Sequence, residues 1–464
     1  MVNMAGSCRK CLILVGLFIL SVFVFYKCTK TAPAAPNIEA TWWGSGEPQK
    51  EDETIRPFKI AITPGVLLDL QRRLNNTLPF QEPLEGVNQN YGMNTKLLQK
   101  IIDYWKTKYD WSKRQQFLNQ FPQFRTRIQG LNIHFIHVKP KEVPDGVEIV
   151  PILLLHGWPG SVREFYEIIP ILTTPEKGRD FVFEVIVPSL PGYGFSDGAV
   201  RPGMNPAQMA QIFNALMTRL GFNRYYAQGG DWGSGISQNL AVLYPDRIIG
   251  VHRNWCSANE LFHWKSYVGS IFPSLFFTEK EIDKVTPITR TVQFILLESG
   301  YFHLQASKPD TIGVALRDSP AGLAAYILEK FTTWTNRDWK DLPDGGLTKK
   351  FTYDQLLDNV MIYWITKSIT TSVRLYAEAI SQAYTNHQFN NIPVEVPAGC
   401  NRFSNELIYS AETLLKEVNK NLIHLTDYEG GHFAAFEVPE VLGKDIIEFV
   451  RKVRNLSQIP NKEL

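Results

Sequence analysis

The stretch Gly229-Gly230-Asp231-Trp232-Gly233-Ser234-Gly235 restricts what this chain can fold into more than any other. Small residues flank a central carboxylate at the spacing Gly229-x-Asp231-x-Gly233. That is the pattern of a nucleophile elbow, with aspartate where an esterase has serine. An elbow is a strained strand-to-helix turn that lifts one side chain into a site, and a Cβ on either flank would clash. A strand must then end just before Asp231 and a helix begin at it. The competing reading is a Gly-rich loop with an aspartate helix N-cap. The motif alone favours the cap, so the rest of the chain has to decide.

The surrounding pattern supplies the strand and the helix. Leu131–Val138 alternates apolar and polar residues as a half-buried strand does. Residues 149–155 are continuously apolar, as in a strand buried on both faces. Residues 181–187, 224–228 and 248–252 read as further strands, with helical stretches at 162–171 and 205–220 between them. This alternation predicts an α/β core with a mostly parallel sheet. Ligands of such sheets bind at the carboxyl ends of the strands, where His156 and Asp231 both fall. Residues 256–390 lose the strand rhythm and are aromatic and helical in pattern, for example at 319–331 and 359–383. Strands resume at 393–398 and 421–426. The simplest organisation is a core of 141–255 and 391–464 with a helical cap, 256–390, inserted into it. Ahead of the core, 57–130 mixes helical patterns with loops, one opening at Thr63-Pro64 and another at Thr95.

An apolar run at 11–26 is shorter than the roughly 20 residues of a full membrane span and longer than a short signal-peptide core. Its aromatic residues favour a retained anchor within 1–30. Arg9 and Lys10 before it balance Lys27 and Lys30 after it, so charge gives no orientation. A Pro/Ala-rich then polar linker follows from residue 31, in which Trp42-Trp43 must dock on the globular body or at the membrane interface. Net charge is +2, from 48 basic and 46 acidic residues, which gives no reason to expect a nucleic-acid partner. Only Cys256 and Cys400 fall in the globular part, a usage that suits a reducing compartment.

In elbow hydrolases the nucleophile is followed by an acid and then a histidine. His432, in Glu429-Gly430-Gly431-His432-Phe433, lies on a Gly-rich loop after the last strand, where that order expects the base. Glu406 and Asp427 both qualify as the acid that orients it. His156-Gly157-Trp158-Pro159-Gly160 follows a buried strand, and the backbone N–H groups of Trp158 and Trp232 are candidates for an oxyanion hole. The aspartate itself narrows the chemistry. A serine attacking saturated carbon gives an inert ether, whereas a carboxylate gives an ester that water can hydrolyse. The elbow therefore points to opening of an epoxide or displacement of a halide. An epoxide oxygen needs a proton donor such as a phenol, and a halide needs N–H donors.

The chain resembles the microsomal epoxide hydrolases, a branch of the α/β-hydrolase superfamily that includes the insect juvenile-hormone epoxide hydrolases. The resemblance rests on Trp42-Trp43-Gly44, His156-Gly157-Trp158-Pro159-Gly160-Ser161, Pro191-Gly192-Tyr193-Gly194-Phe195-Ser196, Gln228 to Ser234, Glu298-Ser299-Gly300-Tyr301, Asp318 to Phe331, and Gly430 to Glu437. It implies an α/β-hydrolase fold with an inserted helical cap, and an N-terminal region within 31–140 that wraps core and cap. It implies Asp231 as nucleophile, His432 as base, and Glu406 rather than Asp427 as orienting acid. It adds Tyr301 and Tyr376 in the cap as proton donors to the epoxide oxygen. The expected reaction takes apolar epoxides, juvenile hormone or xenobiotic, to vicinal diols with no cofactor and no metal. The anchor would hold the catalytic domain on the cytosolic face of the endoplasmic reticulum. A haloalkane dehalogenase is the alternative enzyme, and a non-catalytic hormone- or lipid-binding protein the alternative class. The chain departs from the family pattern at 399–405, which is more polar than usual and lacks a proline.

Overall fold

The computed structural model describes residues 33–458. The apolar run at 11–26 lies outside them, and no helix among the described residues is long and apolar enough to cross a membrane. The described strands form one sheet: β1 (Arg56–Phe58), β2 (Gln123–Ile128), β3 (Leu131–Val138), β4 (Glu148–Leu155), β5 (Phe181–Pro188), β6 (Tyr225–Gly229), β7 (Ile248–Arg253), β8 (Ala398–Phe403) and β9 (Leu422–Tyr428). They are ordered β1-β2-β3-β5-β4-β6-β7-β8-β9. The first four in that order pair antiparallel, and every pair from β5–β4 onward is parallel. The side chains of β5 are buried along nearly its whole length, as a strand covered on both faces requires. Helices Pro206–Arg219 and Asp231–Leu243 pack together against the sheet, and Pro439–Gln458 packs with Ile168–Thr173.

The strand order reverses around β4. The chain runs from β4 to β5 on one side and then crosses back to β6 on the other. A crevice opens at the carboxyl ends of the two strands flanking such a switch. The loop after β4 and the elbow after β6 therefore meet side by side.

Several elements differ from the sequence reading. The segment read as 393–398 is strand β8 at Ala398–Phe403, five residues later. Its Asn401 and Arg402 look like loop residues but are buried, Arg402 being paired with Glu281 and Asp427. The polar stretch at 399–405 is thus mostly strand. β1 and β2 sit within a region read as helix and loop. The helix read as 359–383 is two, Tyr353–Thr366 and Ile369–Ala379, broken where Lys367 takes φ 56°. Cys256 and Cys400, whose number and placement suited a reducing compartment, form a disulfide. β7 and β8 pair side by side with Arg253 opposite Cys400, which brings Cys256, three residues on, over its partner.

All the described elements between β7 and β8 are helices, and they close over the carboxyl end of the sheet. Helix Thr95–Thr107, capped by Asn94, buries Leu97, Leu98, Ile101, Ile102 and Trp105, and packs on helix Pro320–Thr333 of that insertion. Trp43 docks on the body: it is 2% exposed, and its indole N–H donates to Gln129 Oε1 at 3.0 Å. Asp358 joins three regions at one buried carboxylate. It accepts from Tyr109 and Arg114 of the N-terminal region and from Arg163 after β4. Removing one partner of a buried ion pair leaves the others uncompensated, at a cost of about 3–5 kcal/mol. Asp358→Ala should therefore lower the thermal unfolding midpoint sharply in calorimetry, whereas Asp310→Ala, which breaks an exposed pair with Arg374, should leave it nearly unchanged. Equal midpoints for the two variants would exclude this role for Asp358.

Candidate active site

Strand β6 ends at Gly229 and helix Asp231–Leu243 begins at once, with Gly230 extended between them. Asp231 takes φ 49°. A non-glycine residue held there costs on the order of 1–3 kcal/mol, the strain expected of an elbow. The flanking glycines are sterically required. A Cβ on Gly229 would sit 2.2 Å from the Gly233 carbonyl oxygen, and one on Gly233 would sit 2.0 Å from that of Leu155. The first turn of the elbow helix thus rests directly on the end of β4.

That contact brings the Asp231 carboxylate under the loop after β4. The Trp158 N–H donates to Asp231 Oδ1 at 2.7 Å. Gly157 allows the approach, since a Cβ there would lie 2.0 Å from the same oxygen. The insertion holds the loop in turn. Asn359 Nδ2 donates to the Pro159 carbonyl at 2.7 Å, Asn359 Oδ1 accepts from Ser161 Oγ, and the Tyr363 hydroxyl donates to the Gly160 carbonyl at 2.7 Å. His156 braces the same loop: its Nε2 accepts from Leu190 N–H, and burial lowers its ring to about 4, so it stays neutral.

The other carboxylate oxygen faces His432, whose Nε2 lies 3.2 Å from Asp231 Oδ2. His432 Nδ1 lies 2.6 Å from Glu406 Oε1. Burial alone would lower the His432 imidazole, but the Glu406 charge and hydrogen bonds to Asp231 and Glu406 outweigh it. The ring is held well above its usual range, as an imidazolium between two carboxylates. Asp427, the other candidate acid, is engaged elsewhere, by Arg402 at 2.8 Å, Tyr409 at 2.6 Å and Lys280 at 3.1 Å.

The loop carrying His432 is fixed by groups that sequence reasoning did not single out. The His432 N–H donates to the Trp334 carbonyl at 2.9 Å, and the Trp334 ring meets the imidazole edge to face at 4.9 Å. Glu437 receives the N–H groups of Gly431 and Phe433, both at 2.9 Å. Burial raises the Glu437 carboxyl to about 8 despite those donors. Its position five residues after a histidine on a Gly-Gly turn was the available signal.

Tyr301, on helix Gly300–Ser307, stacks on the Trp158 ring with centroids 5.4 Å apart and planes 9° apart. Tyr376, on helix Ile369–Ala379, meets the Trp232 ring at 4.9 Å, and the two tyrosine rings are 5.9 Å apart. Burial pushes both phenols well above their ordinary range, and the Asp231 charge adds to the rise in each. Both therefore keep their protons at neutral pH, within the field of the Asp231 carboxylate. Residues distant in sequence thus come together in one place: Asp231, Trp158, Trp232, His432, Glu406, Tyr301 and Tyr376.

Comparisons with known proteins agree with this arrangement. Residues 55–165 match the family described as "Epoxide hydrolase N terminus", and residues 150–406 match "alpha/beta hydrolase fold". Juvenile hormone epoxide hydrolase 1 of Ctenocephalides felis is 49% identical over 97% of this chain and 97% of its own length. The chain is an epoxide hydrolase of the α/β-hydrolase superfamily. Epoxide hydrolase 1 of Sus scrofa is 45% identical over 88% of this chain and 92% of its own. The crystal structure of juvenile hormone epoxide hydrolase from Bombyx mori matches with a TM-score of 0.87 and 48% identity, covering 90% of this chain and 99% of that one. An epoxide hydrolase takes an epoxide to a vicinal diol, in keeping with a carboxylate elbow facing two protonated phenols.

The ion pair makes a measurable prediction for this epoxide hydrolase. The His432 imidazole should titrate above the usual histidine range by NMR in the unmodified enzyme. Asp231→Asn removes one stabilising carboxylate while burial still favours the neutral ring. Its midpoint should then move down. An unchanged midpoint would mean that Asp231 does not hold the charge on His432.

Proposed function

We propose that this epoxide hydrolase opens apolar epoxides in two steps through an ester on Asp231. The carboxylate oxygen not held by Trp158 attacks an epoxide carbon. The C–O bond of the ring breaks, and its oxygen takes a proton from Tyr301 or Tyr376. The His432 imidazolium loses its proton to solvent once the ester has removed the Asp231 charge. The neutral ring, oriented by Glu406, then removes a proton from water, whose oxygen attacks the Asp231 carboxyl carbon. The oxyanion forms on Oδ1 against the N–H groups of Trp158 and Trp232. Loss of the alkyl oxygen, protonated by His432, releases the diol, the proton left on Asp231 returns to the phenolate, and the imidazole, again between two carboxylates, takes back a proton from solvent. The observation that carries this reading is the sharing of one carboxylate between the Trp158 N–H at 2.7 Å and His432 Nε2 at 3.2 Å.

Juvenile hormone is the substrate we favour, alongside other apolar epoxides. It is the hormone in the names of relatives 49% and 46% identical to the chain, and the Trp158, Trp232 and Trp334 rings around the site suit an apolar ligand. We further propose that the run at 11–26 anchors the enzyme in the endoplasmic reticulum membrane. The sequence reading sets the catalytic domain on the cytosolic face. The Cys256–Cys400 bond, of a kind that oxidising compartments favour, argues for the lumen. Protease treatment of sealed microsomes decides between them, since only a cytosolic domain is digested.

The mechanism predicts where oxygen goes. In a single turnover in ¹⁸O-water with enzyme in excess, label should enter Asp231 and the first diol released should be unlabelled. Label in that first diol would exclude the ester. Asp231→Ala should abolish turnover, whereas His432→Gln should form the ester and release it at least about 10²-fold more slowly. Full activity in Asp231→Ala would overturn the assignment.

A further inference from the structure

One titratable side chain beside the reacting groups has no part in the steps above. Glu164 lies in the single turn Val162–Phe165 that follows the Trp158 loop. Its side chain folds back across that loop, so that Oε1 lies 1.4 Å from where a Cβ on Gly160 would stand. The carboxyl thereby lines a small cavity of about 10 Å³, room for the centre of one water molecule. Asp231, His432, Gly157, Trp158 and Phe433 are among the other lining residues. Neither Tyr301 nor Tyr376 is among them; Tyr301 stacks on the Trp158 ring and Tyr376 meets that of Trp232 edge to face. The cavity therefore adjoins the nucleophile and the base but lies apart from the phenols that would receive the epoxide oxygen. A water that is to attack the ester needs such a place, outside the volume held by the alkyl group.

We propose that Glu164 is the positioning residue for the hydrolytic water, holding it in this cavity between His432 Nε2 and the Asp231 carboxyl carbon. The inference rests on the two-step reading above. The attacking water has two protons. One goes to His432 as its oxygen bonds to the Asp231 carbon. The other needs an acceptor that fixes the molecule's orientation, and a Glu164 carboxyl oxygen supplies it. The Asp231–alkyl bond then breaks as before, and Glu164 is unchanged at the end. The titratable groups facing Glu164 are charged His432 and Asp231 and neutral Glu437, with neutral His156 also at the cavity wall. Burial raises the carboxyl to about 8, the His432 charge opposing the rise and the Asp231 charge adding to it. Below that pH Glu164 is neutral. It accepts the hydrogen bond through its carbonyl oxygen without setting a second negative charge beside the oxyanion.

The test separates the two half-reactions in stopped-flow single turnovers of the full-length enzyme with an aryl epoxide. Glu164→Ala should leave the rate of ester formation within about twofold and slow ester hydrolysis about 10²-fold, so that the ester accumulates. Glu164→Gln keeps the carbonyl acceptor and cannot ionise. It should hydrolyse the ester within about threefold of the unmodified rate and lose the fall in hydrolysis expected of the unmodified enzyme as alkaline pH ionises Glu164. Hydrolysis unchanged in Glu164→Ala, both steps slowed alike, or the alkaline fall persisting in Glu164→Gln would each overturn the proposal. If His432→Gln forms no ester, the two-step reading itself fails. If it does form the ester while Glu164→Ala releases it normally, only the role of Glu164 is lost.

Discussion

A single hydrogen bond, from the Trp158 N–H to Asp231 Oδ1 at 2.7 Å, ties together the two halves of the site. It joins the loop after β4 to the elbow after β6, and it forms only because backbone meets backbone there. Gly157 and Gly233 each stand where a Cβ would fall 2.0 Å from an oxygen across the contact, and Gly229 where one would fall 2.2 Å from the Gly233 carbonyl oxygen within the elbow. The strand order makes this close approach available, since β4 and β6 are parallel neighbours with Leu155 opposite Gly229. The insertion then fixes it from above, through Asn359 and Tyr363 on the carbonyls of Pro159 and Gly160. The nucleophile end of the site is therefore assembled from three pieces of chain, which together hold the strained backbone of Asp231.

Charge follows from this packing. With Asp231 ionised, His432 sits between two carboxylates and is held as the cation, which cannot accept a proton. Forming an ester on Asp231 removes one of those charges and its hydrogen bond. Burial, which favours the neutral ring, then acts against Glu406 alone, and the imidazole moves toward the form a base must have. On the proposed mechanism the first step thus prepares the second. The base is withheld while the nucleophile is free and becomes available once the nucleophile is alkylated.

Most of this architecture was legible in the sequence, and the reasons are local. The elbow was readable because its glycines are enforced by contacts within a few residues and one neighbouring strand. The continuous apolar run of β4 and the alternation of β3 gave the sheet. Where polar residues serve a buried structural purpose, the pattern misled. Arg402 and Asn401 look like loop residues but lie inside β8, because Glu281 and Asp427, far away in the chain, neutralise the arginine. The choice between Glu406 and Asp427 had the same origin. Nothing near either residue reveals that Arg402, Tyr409 and Lys280 surround one while His432 meets the other. Tyr301 and Tyr376 came only from resemblance, since the ring contacts that set them against Trp158 and Trp232 join segments more than a hundred residues apart. The disulfide was missed because the β7–β8 register, which no spacing discloses, is what aligns Cys256 with Cys400.

Two further carboxyls press on the same imidazole without adding to its charge. Glu164 and Glu437 are both raised to about 8 by burial, the one lining the water-sized cavity and the other accepting the N–H groups on either side of His432. Were both ionised at neutral pH, four carboxylates would surround one imidazolium, and a further negative charge on Oδ1 would form against strong repulsion. Held neutral, they contribute hydrogen-bonding geometry alone. The Gly-Gly turn before His432 explains why a carboxyl is used there at all. A Cβ on Gly431 would lie 2.3 Å from the Thr335 carbonyl, so the loop is pressed against the helical insertion with two N–H groups turned inward. Those buried donors need an acceptor. A single acid downstream, Glu437, satisfies both and, kept uncharged by its own burial, adds no charge to the field at Asp231 and His432, the groups that react on the proposed mechanism.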